Sequence, residues 1–115
     1  IPLQDAIFNA SRTGLLIRAL ETANFKKLHI AMQDKLHQPY RIQLIPGMKD
    51  AFQAAQEAGA SGVALSGAGP SLIAFAPEQH QEISAAAVSA FGRAGYSCRT
   101  WNLSVDTTGV IVSTQ

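Results

Sequence analysis

The residues with the plainest chemical potential are Ser66-Gly67-Ala68-Gly69-Pro70-Ser71, a turn with almost no side chains. Its two glycines permit positive φ and let another group approach the backbone closely. Pro70 stiffens the exit and removes one donor. What remains is a cluster of backbone N–H groups with the hydroxyls of Ser66 and Ser71. That chemistry suits an anion, and phosphate is the commonest anion such loops hold. Two familiar nucleotide loops are excluded. No third glycine follows Gly69 and the next residues read as a strand, so this is not a dinucleotide fingerprint. No Gly-Lys-Ser/Thr is present, so it is not a Walker A loop. On its residues alone, the turn is either an ordinary hairpin or an anion cradle.

A second stretch, His37 to Gly47, mixes aromatic, basic and apolar residues with two prolines. It reads as a largely irregular connection with room for one helical turn, and such loops often carry function. Arg41 could grip a carboxylate or phosphate bidentately, or be a surface arginine. Tyr40 could stack on a ligand or fill the rim of the core. His37 could exchange protons, or sit at a helix C-terminus against the last carbonyls. His29 and His80 fall on helix surfaces and read as solvated. No pair of histidines has metal-ligand spacing with a third ligand nearby. The carboxylates show no acid/base pair, and Ser71 has no histidine and acid arranged for nucleophilic work. Asn9, Ser11 and Arg12 interrupt the apolar face of the first helix. They either face solvent or contact a further segment, because buried polar groups need partners.

These residues must be positioned by one domain, since 115 residues support a single core. Apolar residues make up 47% and charged residues 15%. So little charge implies a well-buried fold, or a surface that something else covers. The net charge is +1 and the basic residues form no cluster larger than Lys26-Lys27, which gives no electrostatic case for nucleic acid. The single cysteine, Cys98, excludes an internal disulfide, and its strand-like surroundings predict a buried thiol. No apolar run reaches the length of about 18 residues that a membrane helix needs, and no signal peptide is visible. A reducing cytoplasm fits best. The start at Ile1 and the stop after an apolar run suggest a fragment of a longer protein.

Hydrophobic spacing supplies the elements. Leu3, Ile7, Ala10, Gly14 and Ile17, widened by Leu16 and Leu20, predict an amphipathic helix over about 3–21 that buries this stripe. Asn24 should cap a second helix with Phe25, Leu28, Met32 and Leu36 on one face, ending before Pro39. A third helix should bury Met48, Phe52 and Ala55 and close at Gly59. Two apolar strands flank the glycine turn. A fourth helix should begin with Pro77 at its first position, bury Ile83, Ala87, Ala90 and Phe91, and end at Gly95. Two more strands are expected, over about 97–103 and 109–113. The order α-α-α-β-β-α-β-β predicts an α+β fold: a ferredoxin-like antiparallel sheet of about four strands with helices on one face.

Two motifs together carry a resemblance. Ala64-Leu65-Ser66-Gly67-Ala68-Gly69-Pro70-Ser71 resembles the third motif of the GHMP family of small-molecule kinases. Asp34-Lys35-Leu36-His37-Gln38-Pro39-Tyr40-Arg41 with Leu44-Ile45-Pro46-Gly47, and the opening Asp5-Ala6-Ile7-Phe8-Asn9-Ala10-Ser11-Arg12, look like the branch of that family that phosphorylates homoserine. The similarity spans nearly the whole chain in the right order. It implies transfer of the γ-phosphoryl group of ATP, with Mg²⁺, to the homoserine hydroxyl on the route to threonine. It also implies a two-domain enzyme with its site in the cleft. This chain would be the C-terminal, ferredoxin-like domain, and the principal ATP loop would lie in an N-terminal domain. Ser66, Gly67, Ala68, Gly69 and Ser71 would then support the phosphate loop, Arg41 would bind the homoserine carboxylate, and His37 would touch the substrate or brace the loop that carries Arg41. The isolated chain would be inactive, and its exposed cleft face could drive self-association. Two alternatives remain on the sequence: a free-standing ferredoxin-like module that senses an amino acid or a metabolite, and a GHMP kinase for a different small alcohol.

Overall fold

The computed structural model describes all 115 residues, Ile1–Gln115. Five helices and two strands run in the order α1 (Leu3–Glu21), α2 (Phe25–Ala31), α3 (Gln38–Ile42), α4 (Met48–Glu57), β1 (Gly62–Leu65), β2 (Leu72–Phe75) and α5 (His80–Arg93). The class is α+β, as the element pattern predicts.

Helix α1 spans the predicted residues, but its buried face differs. It packs on α2 through the side that carries Phe8, Leu15, Leu16 and Ala19, and Ala19 is 2% exposed. Leu3 (75% exposed), Ile7 (59%) and Ile17 (55%) stay in solvent. Periodicity finds an apolar stripe; which part of a wide stripe is covered depends on what packs against it. Helix α2 stops at Ala31, five residues before Leu36. The physical cause lies in Asp34. Its carboxylate takes the N–H groups of Leu36, His37 and Gln38, which a continuing helix would need for its own ladder. The one helical turn expected in the Pro-rich connection is α3, with Pro39 near its start.

Helix α5 begins at His80, not at Pro77. Gln79 sits in the left-handed region (φ 63), so a right-handed helix can only start after it. At the other end Gly95, at φ 88, follows the C-cap Ala94.

Strands β1 and β2 pair antiparallel, with Gly62 opposite Phe75 and Leu65 opposite Leu72. Helix α4 lies against α5 and also against β1. The core centres on Ala55 from α4, Val63 from β1 and Ile83 from α5, with Phe52, Leu72 and Ala74 packed around them. Helix α2 crosses β1 at Gly62. A Cβ there would collide with Met32 Sδ and lie 3.3 Å from Leu28 Cβ, so the crossing depends on a missing side chain.

No strand is present over residues 97–115 here, so the sheet shows two strands where four are expected. Residues 97–115 make no backbone–backbone hydrogen bond. Their alternation has strand character, but a strand is stable only when another edge takes its N–H and C=O groups. Cys98 is consequently exposed rather than buried. A cleft of about 1080 Å³ lies between residues 96–105, the strand β2 and the helix α5. No helix is long and apolar enough to cross a membrane.

Substituting Gly62→Ala should lower stability by about 1–3 kcal/mol, the usual cost of overpacking a tight contact. Urea unfolding measures it, and an unchanged midpoint would show that α2 does not approach β1 this closely.

Candidate functional site

The site is built outward from Asp34. This half-buried carboxylate accepts hydrogen bonds from Asn9 Nδ2 (2.7 Å) and from the backbone N–H of Leu36 (2.7 Å) and Gln38 (2.6 Å). The N–H of His37 reaches both of its oxygens, at 3.2 and 3.1 Å. Asn9 completes the link, because its Oδ1 accepts the Lys35 N–H at 3.0 Å. One amide on α1 thus ties down the loop that leads into α3. Burial pushes the Asp34 pKa up, but the Asn9 amide and the N–H groups of Gln38, Leu36 and His37 outweigh it and hold the carboxyl below the ordinary aspartate value.

Beside this link, Phe8 lies between two cations. The Arg12 guanidinium is 4.0 Å from the ring centroid and Lys35 Nζ is 4.6 Å from it. Lys35 also faces Asp5, at 3.7 Å. Of the polar residues that interrupt α1, Asn9 is therefore turned inward onto a partner. Ser11 instead donates to the Phe8 carbonyl at 2.7 Å.

Helix α3 carries the site to the glycine turn. Gln38 Oε1 accepts the N–H of Leu65, the last residue of β1, at 2.7 Å. Three residues on, Arg41 donates through Nε (3.2 Å) and Nη2 (2.8 Å) to the single carbonyl of Ala68. The two stretches singled out in the sequence therefore meet directly, and the guanidinium keeps its Nη1 donors unused. His37 does not join them. Its side chain is exposed, and only its backbone is engaged: the N–H donates to Asp34, and the carbonyl accepts the N–H groups of Tyr40 and Arg41. It stands just before α3 and not at the C-terminus of a helix. Tyr40 is exposed (65%) and fills no core rim.

Within the turn, Gly67 (φ 59) and Gly69 (φ 82) take the left-handed conformation that their lack of Cβ allows. A Cβ on Gly69 would also come within 2.7 Å of Ile45 Cδ1. Ser66 N–H donates across to the Ser71 carbonyl at 2.9 Å, and Gly69 N–H donates to the Ser66 carbonyl at 3.2 Å. The N–H groups of Gly67, Ala68 and Ser71 have no partner in the chain, and all three residues are exposed. Three free amides beside two serine hydroxyls give the turn real capacity for an anion.

Sequence reasoning did not single out Asp34 and Gln38 as individual residues. For Asp34 a local signal exists: an aspartate just before a short Pro-containing helix commonly caps the N–H groups that follow. For Gln38 there is none, because its partner lies 27 residues away.

The family model for the C-terminal part of GHMP kinases matches residues 16–94. The homoserine kinase of Moorella thermoacetica is 44% identical over 112 residues, 97% of this chain and 38% of that protein. The homoserine kinase of Nostoc punctiforme is 49% identical over 106 residues, 91% of this chain and 35% of that protein. The crystal structure of a homoserine kinase from Cytophaga hutchinsonii superimposes with a TM-score of 0.75 at 35% identity, covering 81% of this chain and 30% of that one. The chain thus spans well under half the length of the relatives it matches.

The lowered pKa of Asp34 makes a pH prediction. A carboxylate with a depressed folded pKa stabilises fully above its ordinary value of 3.8, and the benefit fades as pH falls through the folded value. Asp34→Asn should therefore cost more stability at neutral pH than at about pH 2. Chemical unfolding at both pH values tests this, and an equal difference at both would refute the role of the charge.

Proposed function

The chain belongs to the GHMP kinases, and from that premise we propose that it forms the C-terminal part of an ATP-dependent homoserine kinase. The observation that carries the proposal is the pair of hydrogen bonds that Arg41 donates to the Ala68 carbonyl. It joins a segment suited to a substrate carboxylate to a turn suited to a phosphoryl group. The full-length relatives extend well beyond this chain, so the rest of the proposed enzyme supplies the principal ATP loop and part of the acceptor site. The exposed Leu3, Ile7 and Ile17 of α1 support a further packing partner of this kind.

The chemistry needs little from this half of the cleft except position and charge. The homoserine hydroxyl oxygen bonds to the γ-phosphorus, the bond from that phosphorus to the ADP oxygen breaks, and the hydroxyl proton is released. The free N–H groups of Gly67, Ala68 and Ser71, with the Ser66 and Ser71 hydroxyls, would bear on the oxygens of the transferring group. Charge developing on those oxygens is best met by dipoles already in place, and Gly67 and Gly69 let the backbone come close enough. The unused Nη1 donors of Arg41 would hold the homoserine carboxylate. His37 would face the same opening from beside α3. Mg²⁺ would be held mainly by the rest of the enzyme together with the ATP phosphates, and no step here runs through it.

The finer fold belongs to the same proposal. Residues 97–103 and 109–113 would extend the β1–β2 hairpin to a ferredoxin-like sheet of four strands. The cleft against β2 and α5 and the exposed Trp101 and Leu103 support this. Hydrogen exchange on the full-length protein should show protected amides within 97–103; free exchange throughout would refute the added strand.

The activity is tested on the full-length enzyme with ATP, Mg²⁺ and homoserine. Arg41→Ala should raise KM for homoserine about ten- to a hundredfold, as expected for losing a charged hydrogen bond. An unchanged KM would remove Arg41 from the acceptor site, and failure of the wild-type enzyme to phosphorylate homoserine would overturn the proposal. The 115-residue chain alone should release no ADP above background.

A further inference from the structure

Helix α3 grips the glycine turn at two points, and only one of them is the arginine. Ser66 N–H points across the hairpin to Ser71, so the alternation of an antiparallel pair sends the neighbouring Leu65 N–H to the outer edge of β1. There it would lack a strand partner. Gln38 Oε1 takes it at 2.7 Å, while Gln38 Nε2 donates to the Met32 carbonyl at 3.3 Å and the Gln38 backbone N–H is held by Asp34. The side chain is half-buried and both ends of its amide are engaged. Arg41 lies three residues on, on the same side of α3, and holds the tip of the turn at Ala68.

The turn needs such outside support. Its two glycines sit in conformations that few restraints enforce, and its own backbone bonds are the two that converge on Ser66 and Ser71. The amide of Gln38 is suited to the task because it accepts and donates at once. Asparagine is a methylene shorter, and glutamate has no donor for the Met32 carbonyl.

We infer that Gln38 is a positioning residue that fixes the root of the glycine turn relative to Arg41, and so aligns phosphoryl group and acceptor. It contacts neither the free amides of the turn nor the unused donors of Arg41. Its catalytic consequence rests on the homoserine kinase reading; the clamp itself does not. Loss of the clamp should lower kcat and leave acceptor binding intact, since a shift of about 1 Å in a reacting geometry is costly in rate.

The test is Gln38→Met in the full-length enzyme, which keeps length and packing but removes both side-chain hydrogen bonds. Exchange of the Leu65 amide should accelerate about three- to tenfold, as for one neutral hydrogen bond, with the Ala64 amide unaffected. The kcat should fall about tenfold or more, with KM for homoserine unchanged. Unchanged exchange at Leu65 overturns the clamp. Faster exchange with kcat intact overturns its role in alignment. Should the wild-type enzyme not phosphorylate homoserine, the functional reading fails, and Leu65 exchange alone still decides the clamp.

Discussion

A carboxylate that collects backbone N–H groups is a strong organiser, because each bond is charge-assisted and the donors come from consecutive residues. Asp34 plays this part. It stops α2 at Ala31, turns the chain, and presents α3 with Gln38 and Arg41 on one side. Asn9 fixes that arrangement to α1 from 25 residues away. Everything that reaches the glycine turn from this side passes through the segment that Asp34 shapes. The order of dependence is therefore α1, then Asp34, then α3, then the turn.

The hairpin supplies the complementary constraint. Its strands are seated by packing: Val63 is buried against Ala55 and Ile83, and Gly62 lets α2 lie close on β1. The turn between the strands is then exposed at one end of a fixed frame. A polar clamp from α3 and an apolar seat from α4 and α5 meet at the same four-residue strand. Ligand sites are commonly built this way, on loops carried by a rigid scaffold.

Much of this was legible in the sequence, and the failures are instructive. Helix α1 and helix α4 follow from the spacing of their apolar residues, and the β1–β2 hairpin from two short apolar runs on either side of a turn. Composition marked the glycine turn as a place where backbone lies open, but left a plain hairpin and an anion cradle undivided. The buried face of α1 was not legible, since Leu3, Ile7 and Ile17 are as apolar as the residues that α2 does cover. The strands over 97–103 and 109–113 have the right alternation, yet pattern cannot supply the edge they need. The start of α5 was misplaced because nothing in Pro77-Glu78-Gln79 announces that Gln79 will take positive φ. Arg41 and the glycine turn were each visible, but their contact was not. It joins positions 27 apart, and so does the bond from Gln38 to Leu65. Spacing reports on neighbours along one element; only packing brings two elements together.

The bonds from Arg41 to Ala68 carry one more implication. A guanidinium is a rigid plane, so its two edges cannot tilt independently. One edge already rests on the Ala68 carbonyl through Nε and Nη2. Whatever anion seats itself on the opposite edge must therefore adopt an orientation dictated by the turn, and any torque it applies is felt there. A lysine would keep the charge but act as a point on a flexible stem, with no second edge to transmit direction. Position 41 is in this sense a lever, and its geometry matters as much as its charge.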